Sequence, residues 1–243
     1  MQHMTKENIA LCIGGTSKNI YPQCFVSNTI VSKHFVTGET YVLPLYCDDV
    51  LIGKKYYNLK EEVIRLISKK IKLKYTASEI SEFDSFCGKD IFAYVYAILH
   101  STKYRKTFEE QLKNDFPRIP FVDNPELFKK YAEIGSELII LHLSKYNDLN
   151  PYCSFELEDI NKIEKIVYKD KKIYINKKQY FSSIKKNIWE WYIGGYQPLQ
   201  KWLKDRKGDN LSVDEINEYL HIIFVLEKTI NLIGEIDKID VDF

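Results

Sequence analysis

Apolar residues recur most regularly between positions 90 and 121. Phe92, Val95, Tyr96 and Leu99 fall at helical spacing, and Ile91 and Ile98 add a second apolar edge. The pattern predicts a helix buried on most sides. After Ser101 a second amphipathic helix turns Tyr104, Phe108 and Leu112 inward and Lys103, Arg105, Lys106 and Lys113 outward, until Pro117 and Pro120 end it. Asn124 and Pro125 suit the cap and first turn of a third helix, striped by Leu127, Tyr131, Ile134, Leu138 and Leu141. Gly135 inside that stripe implies close approach by another element. A last helix opens on a capping box, Ser212 and Glu215, with Leu211 and Ile216 as a hydrophobic staple. Tyr219, Ile223, Leu226, Ile230 and Ile233 continue it at a period of about 3.5, which suits packing along one neighbour.

Elsewhere the period shortens to two. Residues 8–13, 24–31 and 41–46 read as strands, and residues 162–180 alternate Ile166, Tyr168, Ile173 and Ile175 with lysines around Asp170, a hairpin. Trp189, Trp191 and Ile193 alternate as a further strand, which Gly194 and Gly195 turn into a helix over 196–206. Val63, Leu66 and Ile67 mark a surface helix within 59–73 whose basic end holds Lys69, Lys70, Lys72 and Lys74. These elements predict an α+β fold in a single domain over 1–243, with soft subdivisions: a β-rich part at 5–58, a helical part at 59–147, and at 148–243 a basic β-hairpin plus C-terminal helices packing back on the central bundle. No repeat or low-complexity tract interrupts them.

The chain of 243 residues carries 35 Lys+Arg against 34 Asp+Glu, a balance that argues against indiscriminate polyanion binding but leaves room for a segregated positive face. The densest positive charge lies in the predicted hairpin, at Lys165, Lys169, Lys171, Lys172, Lys177 and Lys178. Such a ribbon suits a phosphate backbone or a groove, although lysines also keep edge strands soluble. Five scattered cysteines with no Cys-x-x-Cys pair fit reduced thiols better than a disulfide framework or a metal site. No stretch reaches the roughly 20 apolar residues of a membrane span and no signal pattern opens the chain, so a cytoplasmic protein is expected. Met1 to Met4, which hold both methionines of the chain, read as an artificial junction, and a fragment of a longer polypeptide is expected.

Catalytic patterns are sparse. Gly14 to Tyr21 lacks the Gly-x-Gly-x-x-Gly spacing of a dinucleotide loop, and Asn124-Pro125-Glu126-Leu127 reads as a helix start rather than a loop that grips an extruded base. No acid precedes a Glu-x-Lys strand in the manner of a metal-dependent nuclease. His34, His100, His142 and His221 are dispersed, and His100 next to Ser101 on a helix does not face it, so no nucleophile and base pair follows. The chain alone is not expected to be catalytic, and no metal site is expected.

Three segments carry a resemblance. A Tyr-x-x-x-His-Ser-x-x-Tyr-Arg helix pair at 96–105 runs into Pro-Arg-Ile-Pro-Phe at 117–121; Trp189 to Lys207 reads WEWYIGGYQPLQKWLKDRK before the capped last helix; and 25–30 with YVLPLY at 41–46 opens the chain. In this order they resemble the C-terminal specificity domain of type ISP restriction-modification enzymes and their relatives among adenine-specific DNA methyltransferases, from about Ile9 to Ile236. The resemblance implies a target recognition domain that reads a short double-stranded DNA sequence. A methyltransferase using S-adenosylmethionine, and often a nuclease or translocase, would lie elsewhere on the parent polypeptide.

Arg105 and Arg118 match the family's central motif, and Gln197, Lys201 and Arg206 its closing segment. Polar turns add Lys18, Lys33 and His34, and the hairpin adds Lys171, Lys172, Lys177 and Lys178, as candidates for phosphate or base contact. Arg105 and Arg118 are equally suited to satisfying backbone carbonyls or an acid such as Asp90. Two other readings stand beside DNA recognition: an assembly module whose helices dock on a partner with no DNA contact, and, further off, a free-standing enzyme with an unfamiliar site.

Overall fold

The structure is a computed structural model that describes residues 2–15, 23–36, 39–49, 54–144, 153–158 and 160–241. It divides into two compact units, residues 1–143 with 232–243, and residues 144–231.

The first unit opens with β1 (Ala10–Gly14), β2 (Cys24–Ser27) and β3 (Thr40–Pro44), an antiparallel sheet with β1 in the centre. The chain then pairs β4 (Tyr46–Asp49) with β5 (Lys54–Tyr57), enters α1 (Glu61–Ile71), and forms a short parallel pair from β6 (Lys74–Tyr75) and β7 (Ser85–Phe86). Next come α2 (Gly88–His100), α3 (Thr102–Thr107), α4 (Glu109–Asn114) and α5 (Pro125–Leu143). The α2 helix is the centre predicted from its periodicity: Ile91, Phe92, Tyr94, Tyr96, Ile98 and Leu99 are all buried. It packs on α5, where the absent side chain of Gly135 is decisive, because a Cβ there would collide with the Ala93 carbonyl of α2. Asn124 Oδ1 accepts the Glu126 and Leu127 amides at 2.8 and 3.1 Å, so Asn124 caps α5 as its sequence implies.

Two expectations in this unit need correction. In α1 the buried positions are Ile67 and Ile71, whereas Val63 and Leu66 are 40% and 63% exposed. Leu66 lies one residue off the covered stripe, about 100° around the axis, whereas Val63, one turn before Ile67, is on the same side but beyond the covered C-terminal half that holds Ile67 and Ile71. The helix expected after Ser101 is two helices, broken at Phe108, whose backbone leaves helical values at φ −106°, ψ 24°. Tyr104 and Leu112 are nevertheless both buried.

In the second unit β8 (Val167–Lys169), β9 (Lys172–Tyr174) and β10 (Tyr180–Phe181) form an antiparallel sheet with β9 in the centre, one strand more than the expected hairpin. Asp170 and Lys171 join β8 to β9 with φ of 52° and 58°, the double positive φ of a tight turn whose twist matches the strands. The predicted strand over Trp189, Trp191 and Ile193 does not form. Residues Lys186–Trp189 make a single helical turn, α6, closed by the Trp189 amide donating to the Lys185 carbonyl at 3.2 Å. Trp189 stacks on Tyr168 at 5.7 Å, so these aromatics alternate without belonging to a sheet. Gly194, at φ 59°, and Gly195 bring Ile193 back against Tyr196 before α7 (Pro198–Asp205).

The last helix, α8 (Val213–Asp237), belongs to the second unit up to Asn231 and to the first from Leu232. Its capping box is formed as read: Ser212 Oγ accepts the Glu215 amide at 3.2 Å, and Glu215 Oε2 accepts the Ser212 amide at 3.0 Å. Those bonds hold the Glu215 carboxyl below the usual carboxylate range. In the second unit Tyr219, Ile223 and Leu226 line a core with Ile173, Phe181, Leu199 and Leu203; in the first, Ile236 and Ile239 join the core of α2 and α5. Among the described residues no helix is long and apolar enough to cross a membrane.

Candidate nucleic-acid interface

In the first unit, the central motif is held by tyrosine hydroxyls. Tyr94, stacked between Phe121 and Phe128, donates to the Pro120 carbonyl at 2.8 Å and accepts the Val122 amide at 3.1 Å. Tyr104 donates to the Arg118 carbonyl at 2.9 Å. Prolines cannot donate to a ladder, and these two side chains fix the Pro117 to Pro120 segment in place of backbone pairing. The Arg118 side chain then stands 89% exposed, paired with Asp115 at 2.9 Å, and borders an open groove with Tyr104, Phe108 and Phe116.

Arg105 turns the other way. Its Nε donates to the Leu99 carbonyl at 2.7 Å and so satisfies the last turn of α2. Asp237 does the corresponding work for α3, accepting the Thr102 amide at 2.9 Å, beside Ser101 Oγ, which accepts the Tyr104 amide at 3.2 Å. Lys33 pairs with Glu39 at 3.1 Å, and His34 is exposed on the same turn. Lys18 lies outside the described residues.

Beneath this surface the histidines are structural. Tyr96 Oη lies 2.6 Å from His142 Nδ1, and His100 Nδ1 donates to the Tyr96 carbonyl at 2.8 Å. Burial pushes the Tyr96 hydroxyl up and both imidazoles down, His142 to about 4. Neutral His142 and neutral Tyr96 thus share one hydrogen bond, and Arg105 opposes charging of His100. No cluster of metal-binding side chains occurs among the described residues.

In the second unit the basic residues divide. On α7, Lys201 pairs with Asp205 at 2.7 Å, while Arg206 lies over the Trp202 ring at 3.8 Å and meets Glu215 at 3.3 Å. Gln197 precedes Pro198 as the N-cap residue of α7 without making a side-chain cap bond. On the three-stranded sheet, Lys171, Lys172, Lys177 and Lys178 form no ion pair among the described residues, and Asp170 reaches only Lys169, at 4.0 Å. The sheet thus brings four candidates together without a direct ion pair among the described residues, Asp170 acting on Lys172 only through space, with Lys171 at the β8–β9 turn and Lys177 and Lys178 on the β9–β10 connection.

The inner face is apolar, with Ile173 and Phe181 buried. The outer face carries Lys169, Lys172, Tyr174 and Tyr180. Lys172 Nζ sits 3.9 Å from the Tyr180 ring centroid, and Tyr180 raises the Lys172 ammonium above its ordinary value. The alternation reading overlooked these two tyrosines. Their phase, opposite to Ile173 and Phe181, was the available signal.

The chain matches the Type ISP C-terminal specificity domain over residues 1–235. It belongs to that family. Solved structures with the same fold include a DrdV–DNA complex, at a TM-score of 0.74 and 21% identity over 95% of this chain and 24% of that one. The ATP-dependent Type ISP restriction-modification enzyme LlaBIII bound to DNA gives 0.71 and 21% over 98% of this chain and 16% of that one. A nuclease-deletion mutant of the Type ISP enzyme LlaGI in complex with a DNA substrate mimic gives 0.67 and 22% over 98% and 22%. This Type ISP specificity domain therefore spans at most about a quarter of those chains. No curated protein matches it.

Proposed function

We propose that this chain recognises a specific double-stranded DNA sequence as the specificity domain of an adenine-specific methyltransferase or restriction-modification enzyme. Membership of the specificity-domain family carries the reading, and the lysine sheet of the second unit gives it a physical basis. Lysines without acidic partners neutralise phosphates and release their counterions, which fixes register without reading sequence. Side chains able to make paired hydrogen bonds, Arg118 and Gln197 among the candidates, supply base contacts in the major groove. DrdV and LlaBIII, which contain the same fold, are each solved with DNA, and a LlaGI mutant with a DNA substrate mimic, which supports DNA as the ligand. The parent polypeptide then supplies the methyltransferase, with S-adenosylmethionine as its cofactor, and works in the cytoplasm.

The test is selection of duplexes from a randomised pool by the 243-residue chain, followed by affinity measured against salt. The expected result is enrichment of one short sequence, with log K falling by about 0.9 per log unit of salt for each phosphate contacted. No enrichment, or an affinity indifferent to salt, overturns the proposal and favours the assembly module, whose apolar contacts respond weakly to salt.

A further inference from the structure

We propose that the outer face of the β8–β9–β10 sheet is a binding platform for single-stranded nucleic acid, with Tyr174 and Tyr180 stacking on unpaired bases and the surrounding lysines holding the phosphates. The register places the two tyrosines side by side: Tyr180 pairs with Tyr174, and Tyr174 in turn with Val167. Their rings lie 5.1 Å apart at 53°, partly exposed on a face whose reverse side is sealed by Ile173 and Phe181. Two aromatic rings on a supported sheet, tilted to one another, each offer a site on which a base stacks whatever its identity, because every base has a π face.

Such rings find no use on the outside of an intact duplex, where the base faces are already stacked. The charge fits the same ligand. Between Lys165 and Tyr180 there are six lysines and one acid, Asp170. They lie on both sides of Tyr174 along the chain, Lys171 at the turn before β9 and Lys177 and Lys178 between β9 and Tyr180. Lys172 lies over one face of the Tyr180 ring, 3.9 Å from its centroid, and its flexible stem must swing aside for a base to stack on that face, which leaves its ammonium next to the adjoining phosphate. Three strands about 4.8 Å apart offer a width of roughly 10 Å, room for two bases.

The platform does not depend on the duplex-reading proposal, and the two are measured side by side. The 243-residue chain is titrated against a fluorescent oligothymidylate and, separately, a duplex of equal length. The expected result is salt-sensitive binding of oligothymidylate, weakened roughly ten- to a hundredfold per tyrosine in Tyr174→Leu and Tyr180→Leu and restored in Tyr174→Phe and Tyr180→Phe, with duplex affinity changed by less than about threefold. Failure to bind oligothymidylate, or leucine variants that bind it as the parent does, overturns the platform while leaving the duplex result standing. A measurement on the unaltered chain closes the remaining route of escape. Photocrosslinking with an oligonucleotide carrying 5-iododeoxyuridine is expected to label Tyr174 or Tyr180, and labelling confined to other residues overturns the proposal.

Discussion

The two units use their polar groups in opposite ways. In the first, two of the candidate residues and several buried polar groups are committed to structure: Arg105 to the Leu99 carbonyl, Lys33 to Glu39, Tyr94 and Tyr104 to the proline segment, Tyr96 to His142. Even the lysines in the last turn of α1, Lys69 and Lys70, stand where a helix C-terminus favours positive charge. In the second, four lysines of the sheet are left without acids. The lesson is that positive charge in the sequence does not equal charge available to a ligand. Apart from Arg118, substitutions in the first unit should therefore act on stability, and substitutions on the sheet should act on binding.

The sharpest break of that contrast is Gly135→Ala. The added methyl group meets the Ala93 backbone, which cannot rotate away, so α2 and α5 must separate. A cost of about 3 kcal/mol or more is expected, at the upper end of overpacking effects, read as a lower denaturation midpoint. A midpoint unchanged within about 0.5 kcal/mol would show that α2 and α5 are not packed as described.

Next in size is the sheet. Replacing Lys171, Lys172, Lys177 and Lys178 together by alanine is expected to weaken duplex binding roughly a hundredfold near 0.1 M salt, and to flatten the salt slope by about 0.9 for each phosphate that is no longer neutralised. Melting should move by only a few degrees, since these side chains are at the surface. Loss of fold instead of affinity would place the sheet's lysines with the structural charges of the first unit.

Acid should act on the first unit at nearly the same scale. His142 titrates at about 4 in the fold, against an ordinary value of 6.5. Between these pH values the unfolded chain binds the proton and the folded chain does not, so stability is fully present above about pH 6.5 and is lost as pH falls toward 4. The loss approaches roughly 3 kcal/mol for His142 alone, and His100, also depressed, adds to it in the same direction. The check is denaturant titration at pH 7 and pH 5, with His142→Gln expected to flatten the difference. Equal stability at the two pH values would mean these imidazoles are not buried in neutral form.

How far the contrast could be read from sequence differs between its halves. The α2 helix was legible because it is buried over most of its surface, and α5 because its apolar stripe at Tyr131, Ile134 and Leu138 is the face that is buried, so apolar period and burial agree. Gly135 and the Ser212–Glu215 cap were legible because each depends on neighbours in sequence or on the lack of a side chain. The buried residues of α1 were not: Val63 and Leu66 are about as apolar as Ile67 and Ile71, and only tertiary packing decides which of them are covered. The aromatics from Trp189 to Ile193 imitate a strand because alternation records side-chain placement, not hydrogen bonding. On the sheet the lysines were legible, but their lack of partners was not. The pairing of Arg206 with Glu215 spans nine residues through the cap of α8, beyond any local spacing rule.

The pair on α7 offers the smallest effect and the finest test of the contrast. Lys201 and Asp205 are both about half exposed and four residues apart, a geometry worth only about 0.3–0.5 kcal/mol. Asp205 also closes α7, where a negative charge meets the negative end of the helix dipole. Asp205→Asn should therefore leave stability within about 0.5 kcal/mol while freeing the Lys201 ammonium. If charge becomes available to DNA when its acid is removed, duplex affinity at low salt should rise two- to threefold by order of magnitude, and the salt slope should steepen by no more than about 0.9. A fall in affinity would mean that the intact pair, and not the lysine alone, is what the ligand meets, and the division between paired and unpaired cations would then misplace the binding surface.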